Sequence, residues 1–63
     1  MTIAELLKAT GRTNAELAVI LDVDALTVYR WRHGDRLPHR LIRKVLCKLG
    51  HVAMSDVTWE LSR

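Results

Sequence analysis

The 63-residue chain is predicted to fold as a compact all-α domain of four to five short helices. Apolar residues recur at spacings of three and four, which is the period of an amphipathic helix. Residues that favour helix ends, mainly Thr, Asp and Gly, stand between these segments. Because the chain has no internal repeat, low-complexity segment or linker, we interpret residues 1–63 as one domain.

The first two helices are predicted from their caps and their apolar spacing. Thr2 caps a helix over residues 2–10, which Gly11 ends in the left-handed conformation. Thr13 and Glu16 form the capping box of the second helix. The predicted buried residues of these two helices are Ile3, Leu6, Leu7, Leu17, Ala18, Ile20 and Leu21.

The third helix follows a tight turn, so that residues 14–33 form a helix-turn-helix. Asp22 stands at the turn position that needs a positive φ, which Asp tolerates better than most residues. Asp24 is predicted to cap the helix, which runs from about Ala25 to Arg32 and is terminated by Gly34. The inward residues of this unit are predicted to be Ala18, Val23, Val28 and Trp31.

A fourth helix is predicted over residues 39–49, after Pro38 and before a terminating Gly50. It is amphipathic, with an apolar face of Leu41, Ile42, Val45, Leu46 and Leu49 and a basic face of Arg40, Arg43, Lys44 and Lys48. The last segment has two interpretations. Ser55 could cap a short helix, or the alternation of Val57, Trp59 and Leu61 could form a strand.

Positive charge is concentrated in one part of the chain. Residues 30–48 contain seven Lys and Arg residues and one acid, Asp35, whereas the segments on either side are slightly acidic. One basic region on such a body is expected of a protein that binds a polyanion. Charge alone is equally consistent with a solvated helix face. Its position directly after the helix-turn-helix favours DNA binding.

The segment TNAELAVILDVDALTVYRWRHGDRLP resembles the Cro/repressor-type (XRE-like) helix-turn-helix family of bacteria and phages. The similar features are E-L-A at 16–18, L-D-V at 21–23, T-V at 27–28, W-R-H-G at 31–34 and Pro38, and the likeness covers about residues 2–50. It implies a lambda-repressor-like fold and a DNA-binding transcriptional regulator. The chain departs from the family pattern at Asp22, where Gly is usual, and at Ala25 and Leu26, where polar side chains are more common.

Arg30 is the predicted base-reading residue, because its planar guanidinium can donate two hydrogen bonds to guanine O6 and N7. A phosphate contact or a surface ion pair is the alternative. Ala25 and Leu26 are expected to lie against thymine methyl groups, and the resemblance implies that Asn14 binds a phosphate. The predicted contacts to the DNA backbone are completed by Thr27, Tyr29, Arg32, His33, Arg36 and Arg40.

Two copies are expected to pair on a pseudo-palindromic operator, because one recognition helix spans only about four base pairs. Residues 52–63 are the predicted dimerisation segment, in which the interface residues are Val52, Met54, Val57, Trp59 and Leu61. Under the alternative, Trp59 folds over its own core.

The sequence predicts a cytoplasmic, dimeric repressor of phage or mobile-element type that acts by promoter occlusion and can be autoregulatory. The N-terminus has no signal-peptide pattern, no segment is long enough to span a membrane, and Cys47 is the only cysteine. No catalytic motif, cofactor site or metal-ligand spacing among His33, His39, His51 and Cys47 is found, so an enzyme is not expected. The alternative is a protein-interaction module, antitoxin-like or an inhibitor, on the same scaffold. RNA binding fits the charge, but the chain lacks an exposed aromatic platform.

Overall fold

The protein is described by a computed structural model over residues 1–62. Its elements are four α-helices and one short 3₁₀ helix: α1 (Ile3–Ala9), α2 (Asn14–Leu21), α3 (Ala25–Arg32), α4 (Arg40–Gly50) and the 3₁₀ helix Met54–Asp56. About 60% of the chain is helical, and residues 1–62 contain no strand. The predicted all-α class is therefore confirmed. None of the helices in this range has the length and apolar character needed to cross a membrane.

Local hydrogen bonds start α1 and α2 as capping boxes. The Thr13 hydroxyl accepts from the Glu16 amide at 3.1 Å, and the Glu16 carboxylate accepts from the Thr13 amide at 2.9 Å. Thr2 and Glu5 make the same pair of bonds at 3.1 and 2.8 Å. Hydrogen bonds from the Thr2 and Thr13 backbone amides are the main reason that the pKa values of Glu5 and Glu16 lie below their usual value. These carboxylates therefore support the helices at neutral pH, and they lose this effect as the pH falls through their lowered pKa values.

The turn between α2 and α3 has the geometry predicted at Asp22, and Asp24 is the N-cap residue of α3 as predicted, but without the expected side-chain bond. Asp22 is left-handed, with φ 55° and ψ 49°, and the Val23 amide then donates to the Ala18 carbonyl at 3.0 Å. The Asp24 side chain makes no capping hydrogen bond. The Thr27 amide, which such a cap would bind, donates instead to the Asp24 backbone carbonyl at 3.0 Å.

α4 begins and ends one residue later than predicted. The His39 imidazole caps it, with Nδ1 accepting from the Leu41 amide at 3.2 Å. Gly50 is its last helical residue, and His51 takes the left-handed conformation with φ 56°. Gly50 has a packing role, because a Cβ at this position would lie 3.0 Å from Leu6 Cδ1 on α1. The glycine therefore permits α1 and α4 to pack closely.

The core lies around α1, which packs against α3 on one side and α4 on the other, while α2 packs on α3. Its buried members are Ile3, Leu6, Leu7, Leu17, Ala18, Val28, Trp31, Leu46, Cys47 and Val57. Ile20, Leu41 and Val45 were predicted to be buried and are exposed. Each lies at the margin of its helix's apolar stripe, where no neighbouring element covers it.

The C-terminal segment packs on its own chain rather than forming a strand. The Thr58 amide donates to the Met1 carbonyl at 2.8 Å, and the Ser62 amide donates to the Gly34 carbonyl at 3.0 Å. Trp59 packs against the core, and its indole Nε1 donates to the Met54 carbonyl at 3.2 Å. The N-cap residue of the short 3₁₀ helix is Ala53, two residues before the predicted Ser55. The Ala53 side chain makes no capping hydrogen bond.

Replacing Gly34 with alanine is expected to destabilise the fold more than the same change at Gly11. Both glycines have positive φ, +75° and +70°, so each substitution should cost about 1–2 kcal/mol. A Cβ at Gly34 would also collide with the Ser62 side chain, whereas one at Gly11 meets nothing within 4 Å. Thermal unfolding of both variants measures the difference. Equal losses would show that the C-terminal segment does not pack on Gly34.

Candidate nucleic-acid interface

The helix-turn-helix is held by apolar contacts on its inner side. α2 and α3 pack on each other, and both also border the core around α1 through Leu17, Ala18, Val28 and Trp31. The left-handed Asp22 reverses the chain between the two helices. The orientation of α3 is therefore determined by buried side chains at its middle and at its C-terminal turn.

The outer face of α3 is open to solvent. Because Val28 and Trp31 point inward, the helical period turns the residues between them outward. The exposed residues of the helix and its C-cap are Ala25, Leu26, Tyr29, Arg30 and His33, all of which were predicted to contact DNA. The Tyr29 and His33 rings stack with centroids 4.0 Å apart.

Asn14 and Arg32, which were predicted as separate backbone contacts, are joined in the structure. Arg32 Nε donates to Asn14 Oδ1 at 2.9 Å, and both side chains are half-buried. The bond links the N-terminus of α2 to the last turn of α3. It orients the Asn14 amide group so that its NH₂ remains a donor, and it brings a guanidinium to the positive end of the α2 dipole. Both features favour an anion at this end of α2.

The fold divides the basic segment into groups with different surroundings. Arg30, Arg36 and Arg40 are exposed, on α3, on the following loop and at the start of α4. Arg43 was predicted on the solvent-facing side of α4, but its Nε donates to the Pro38 carbonyl at 2.9 Å and its guanidinium lies 5.2 Å from the Trp59 ring centroid. Arg43 is thus partly used to hold its own chain together.

Lys44 and Lys48 lie beside another part of the molecule. They line an open groove between α4 and the segment Val52–Met54. α3 packs on α1 and α2 rather than on α4. These two lysines therefore belong to the α4 surface, and the positive charge close to α3 comes from the arginines.

The N-terminal end of α3 is acidic. No Lys or Arg occurs between Thr13 and Tyr29, and Asp22 and Asp24, which lie just before the helix, are both exposed. Phosphates would be repelled at this end and attracted at the other, where Arg30 and Arg36 lie. Thr27, a predicted backbone contact, is half-buried on α3.

The predicted dimerisation residues are mostly covered by their own chain. Val57 is buried, and Val52, Met54 and Trp59 are half-buried against the core. Leu61 is the member of this set with a largely exposed side chain, 50% accessible. Trp59 packs over the core of its own chain, as the alternative prediction had it. Because Val57 is buried, it can support an interface only by packing under the residues at the surface.

Cys47 and the histidines form no cluster that resembles a metal or catalytic site. Cys47 is buried, and desolvation, followed by the charge of Asp56, raises the pKa of its thiol. Such a thiol is a poor nucleophile at neutral pH. Within residues 1–62, no three His, Cys, Asp or Glu side chains are grouped so that they could hold a metal ion.

Searches of protein-family models, of curated proteins and of solved structures each found no match to this chain. The geometry of the helix-turn-helix and the charges around it are the features of the molecule that bear on its function. The class of site that this geometry supports is a helix presented for contact with a groove or a partner surface.

Proposed function

We propose that the protein is a sequence-specific, double-stranded DNA-binding transcriptional regulator that works in the cytoplasm. The observation that carries the proposal is the exposed face of α3, which is anchored from behind by Val28 and Trp31 and presents Arg30 at its centre. A rigidly supported helix with a basic outer face has the shape and charge for a major groove.

In the proposed complex α3 lies in the major groove. Arg30 donates two hydrogen bonds to a guanine, while Ala25 and Leu26 lie against thymine methyl groups. The Asn14 amide and the Arg32 guanidinium bind one phosphate, and Arg36 and Arg40 bind others beyond the C-terminal end of α3. The remaining backbone contacts come from Thr27, Tyr29 and His33. The acids before α3 disfavour registers that bring a phosphate to its N-terminal end.

Repression by promoter occlusion is the proposed mode of action, with autoregulation and a phage or mobile-element setting as parts of the same proposal. A bound copy covers the groove and the neighbouring backbone, which excludes a polymerase from the same sites. Two copies on a pseudo-palindromic operator would recognise twice the sequence that one α3 can read. For the predicted C-terminal pairing, Leu61 is the contact left open by the fold.

Replacing Arg36 with alanine is expected to weaken binding to specific and random duplexes alike, because a phosphate contact carries no sequence information. The slope of log affinity against log salt should fall by about one. Titrating labelled duplexes at several salt concentrations measures both effects. Lys48→Ala is the matched control, since it removes the same charge from the α4 groove and should change neither quantity. Equal changes in DNA affinity and salt dependence for the two variants would show that binding depends on the net charge of the protein and not on the position of Arg36.

The alternative function is a protein-interaction module, antitoxin-like or an inhibitor, on the same scaffold. The exposed Leu26 and the acidic residues before α3 favour this alternative, because an apolar and acidic surface suits a protein partner better than DNA. The same titration separates the two functions. DNA affinity that is weak and insensitive to salt would leave the interaction module as the better explanation.

A further inference from the structure

α2 exposes an apolar strip that the helix-turn-helix does not use. Val19 is 82% accessible, the highest value among the exposed large apolar residues, and Ala15 and Ile20 beside it are also exposed. Acidic side chains border this strip at both ends, Glu16 in the first turn and Asp22 at the C-terminus. We call the surface formed by Ala15, Glu16, Val19, Ile20 and Asp22 the α2 strip.

α4 carries a second apolar surface with the opposite charge. Leu41 is 65% accessible, and Val45 lies one turn further along the same side of the helix. Next to them is an open groove of about 410 Å³, in which Val45, Val52 and Met54 provide apolar walls and Lys44 and Lys48 provide the charge. We call this surface, with Leu41 at its edge, the α4 groove.

We propose that the α2 strip of one copy docks into the α4 groove of a second copy. Apolar side chains would meet apolar side chains, and the acids of the strip would meet the two lysines of the groove. Contiguous apolar surface that is rimmed by charge is the usual mark of a protein contact. The complementary charges, all belonging to one chain, identify the occupant as a second copy.

Charge also determines the symmetry of this contact. A two-fold pairing of strip with strip would oppose acids, and a pairing of groove with groove would oppose lysines. In the fold α3 and α1 lie between α2 and α4, so the strip and the groove do not adjoin and one partner does not engage both. Strip against groove is therefore a head-to-tail contact, which leaves one unused strip and one unused groove at the ends and so can add further copies. Neither surface contains Tyr29, Arg30 or His33, so the outer face of α3 stays open. The contact needs no DNA and stands apart from the proposed function.

Cysteine cross-linking between two different variants tests the contact. In a Cys47→Ala background, Val19→Cys and Val45→Cys place one thiol on each surface. With one variant isotope-labelled, mass spectrometry should find disulfide-linked dimers mainly between the two variants. Each variant alone should give little product. Leu26→Cys is the matched control, because it is also an exposed apolar position, lies on the open face of α3 and should not cross-link with Val45→Cys above background. Dimers formed mainly by one variant with itself would overturn the proposal.

A charge reversal provides a second test that keeps the buried Cys47 unchanged. Lys44→Glu combined with Lys48→Glu removes the groove's attraction for the strip but leaves the variant's own strip intact. At about 0.5 mM, where weak contacts of small area are populated, wild-type protein should sediment as a mixture of monomers and larger species. The variant should form nothing larger than the closed two-fold dimer that C-terminal pairing would give, and adding it to wild type should shorten the wild-type chains. Wild type that forms nothing larger than a dimer, or a variant that associates as far as wild type, would overturn the proposal.

Discussion

Trp31→Ala is expected to unfold most of the protein. The indole is 2% accessible and anchors the C-terminal turn of α3 in the core around α1. Removing a buried Trp side chain typically costs 3–5 kcal/mol. A domain of this size has a total stability of about 3–9 kcal/mol at the usual value per residue. Chemical denaturation followed by circular dichroism measures the loss, and the remaining Trp59 provides a fluorescence signal for the C-terminal segment.

Tyr29→Ala is the matched control for this prediction. Tyr29 lies on the same helix but on its exposed face, where it stacks on His33 rather than entering the core. Its removal should cost about 0.5–1.5 kcal/mol, the range for an aromatic pair beyond simple burial. Similar losses in the two variants would contradict the inward orientation of Trp31, and with it the orientation of α3.

Arg30→Ala is expected to have the largest effect on DNA recognition. A bidentate contact to guanine contributes roughly 1–3 kcal/mol of discrimination, so affinity for the preferred duplex should fall about five- to 150-fold. Affinity for random duplex should fall much less. Selection of bound sequences from a random pool, followed by titration of the preferred duplex, measures both effects and should show relaxed preference at one base position.

Arg30→Lys separates the geometry of this contact from its charge. Lysine keeps the positive charge but lacks the planar pair of donors, so the variant should bind random DNA like wild type and still lose preference at that position. Equal losses on preferred and random duplexes for Arg30→Ala would assign the residue to a phosphate. Unchanged binding to both would remove Arg30 from the interface.

Most of the secondary structure was predictable because it depends on residues within four positions of one another. The Thr13 and Glu16 capping box, the left-handed Asp22 and the inward Val28 and Trp31 of α3 are all local features. The prediction was wrong for the side-chain bond of Asp24, for the helix end at Gly50 and for the exposed Ile20, Leu41 and Val45. A competing backbone bond replaces the Asp24 cap, Gly50 stays in the helix where α1 packs closely, and no neighbour covers the three apolar side chains.

The candidate site was predictable only in part. The exposed face of α3 follows from helical spacing once the inward residues are known. The Asn14–Arg32 bond joins residues 18 positions apart, and the Arg43–Trp59 contact joins residues almost as distant in the chain. The order of charges along the chain does not distinguish one basic residue of 30–48 from another. Only the packing shows that some of them hold the fold while others remain on the surface.

Local sequence is enough to set the helices, the turn between α2 and α3 and the residues on the outer face of α3, because capping and helical period act over a few residues. Packing between helices sets which basic side chains remain exposed and where the C-terminal segment lies. It also decided that the α2 strip and the α4 groove stay uncovered. These properties depend on which helices pack together, and that is decided by contacts between residues far apart in the chain.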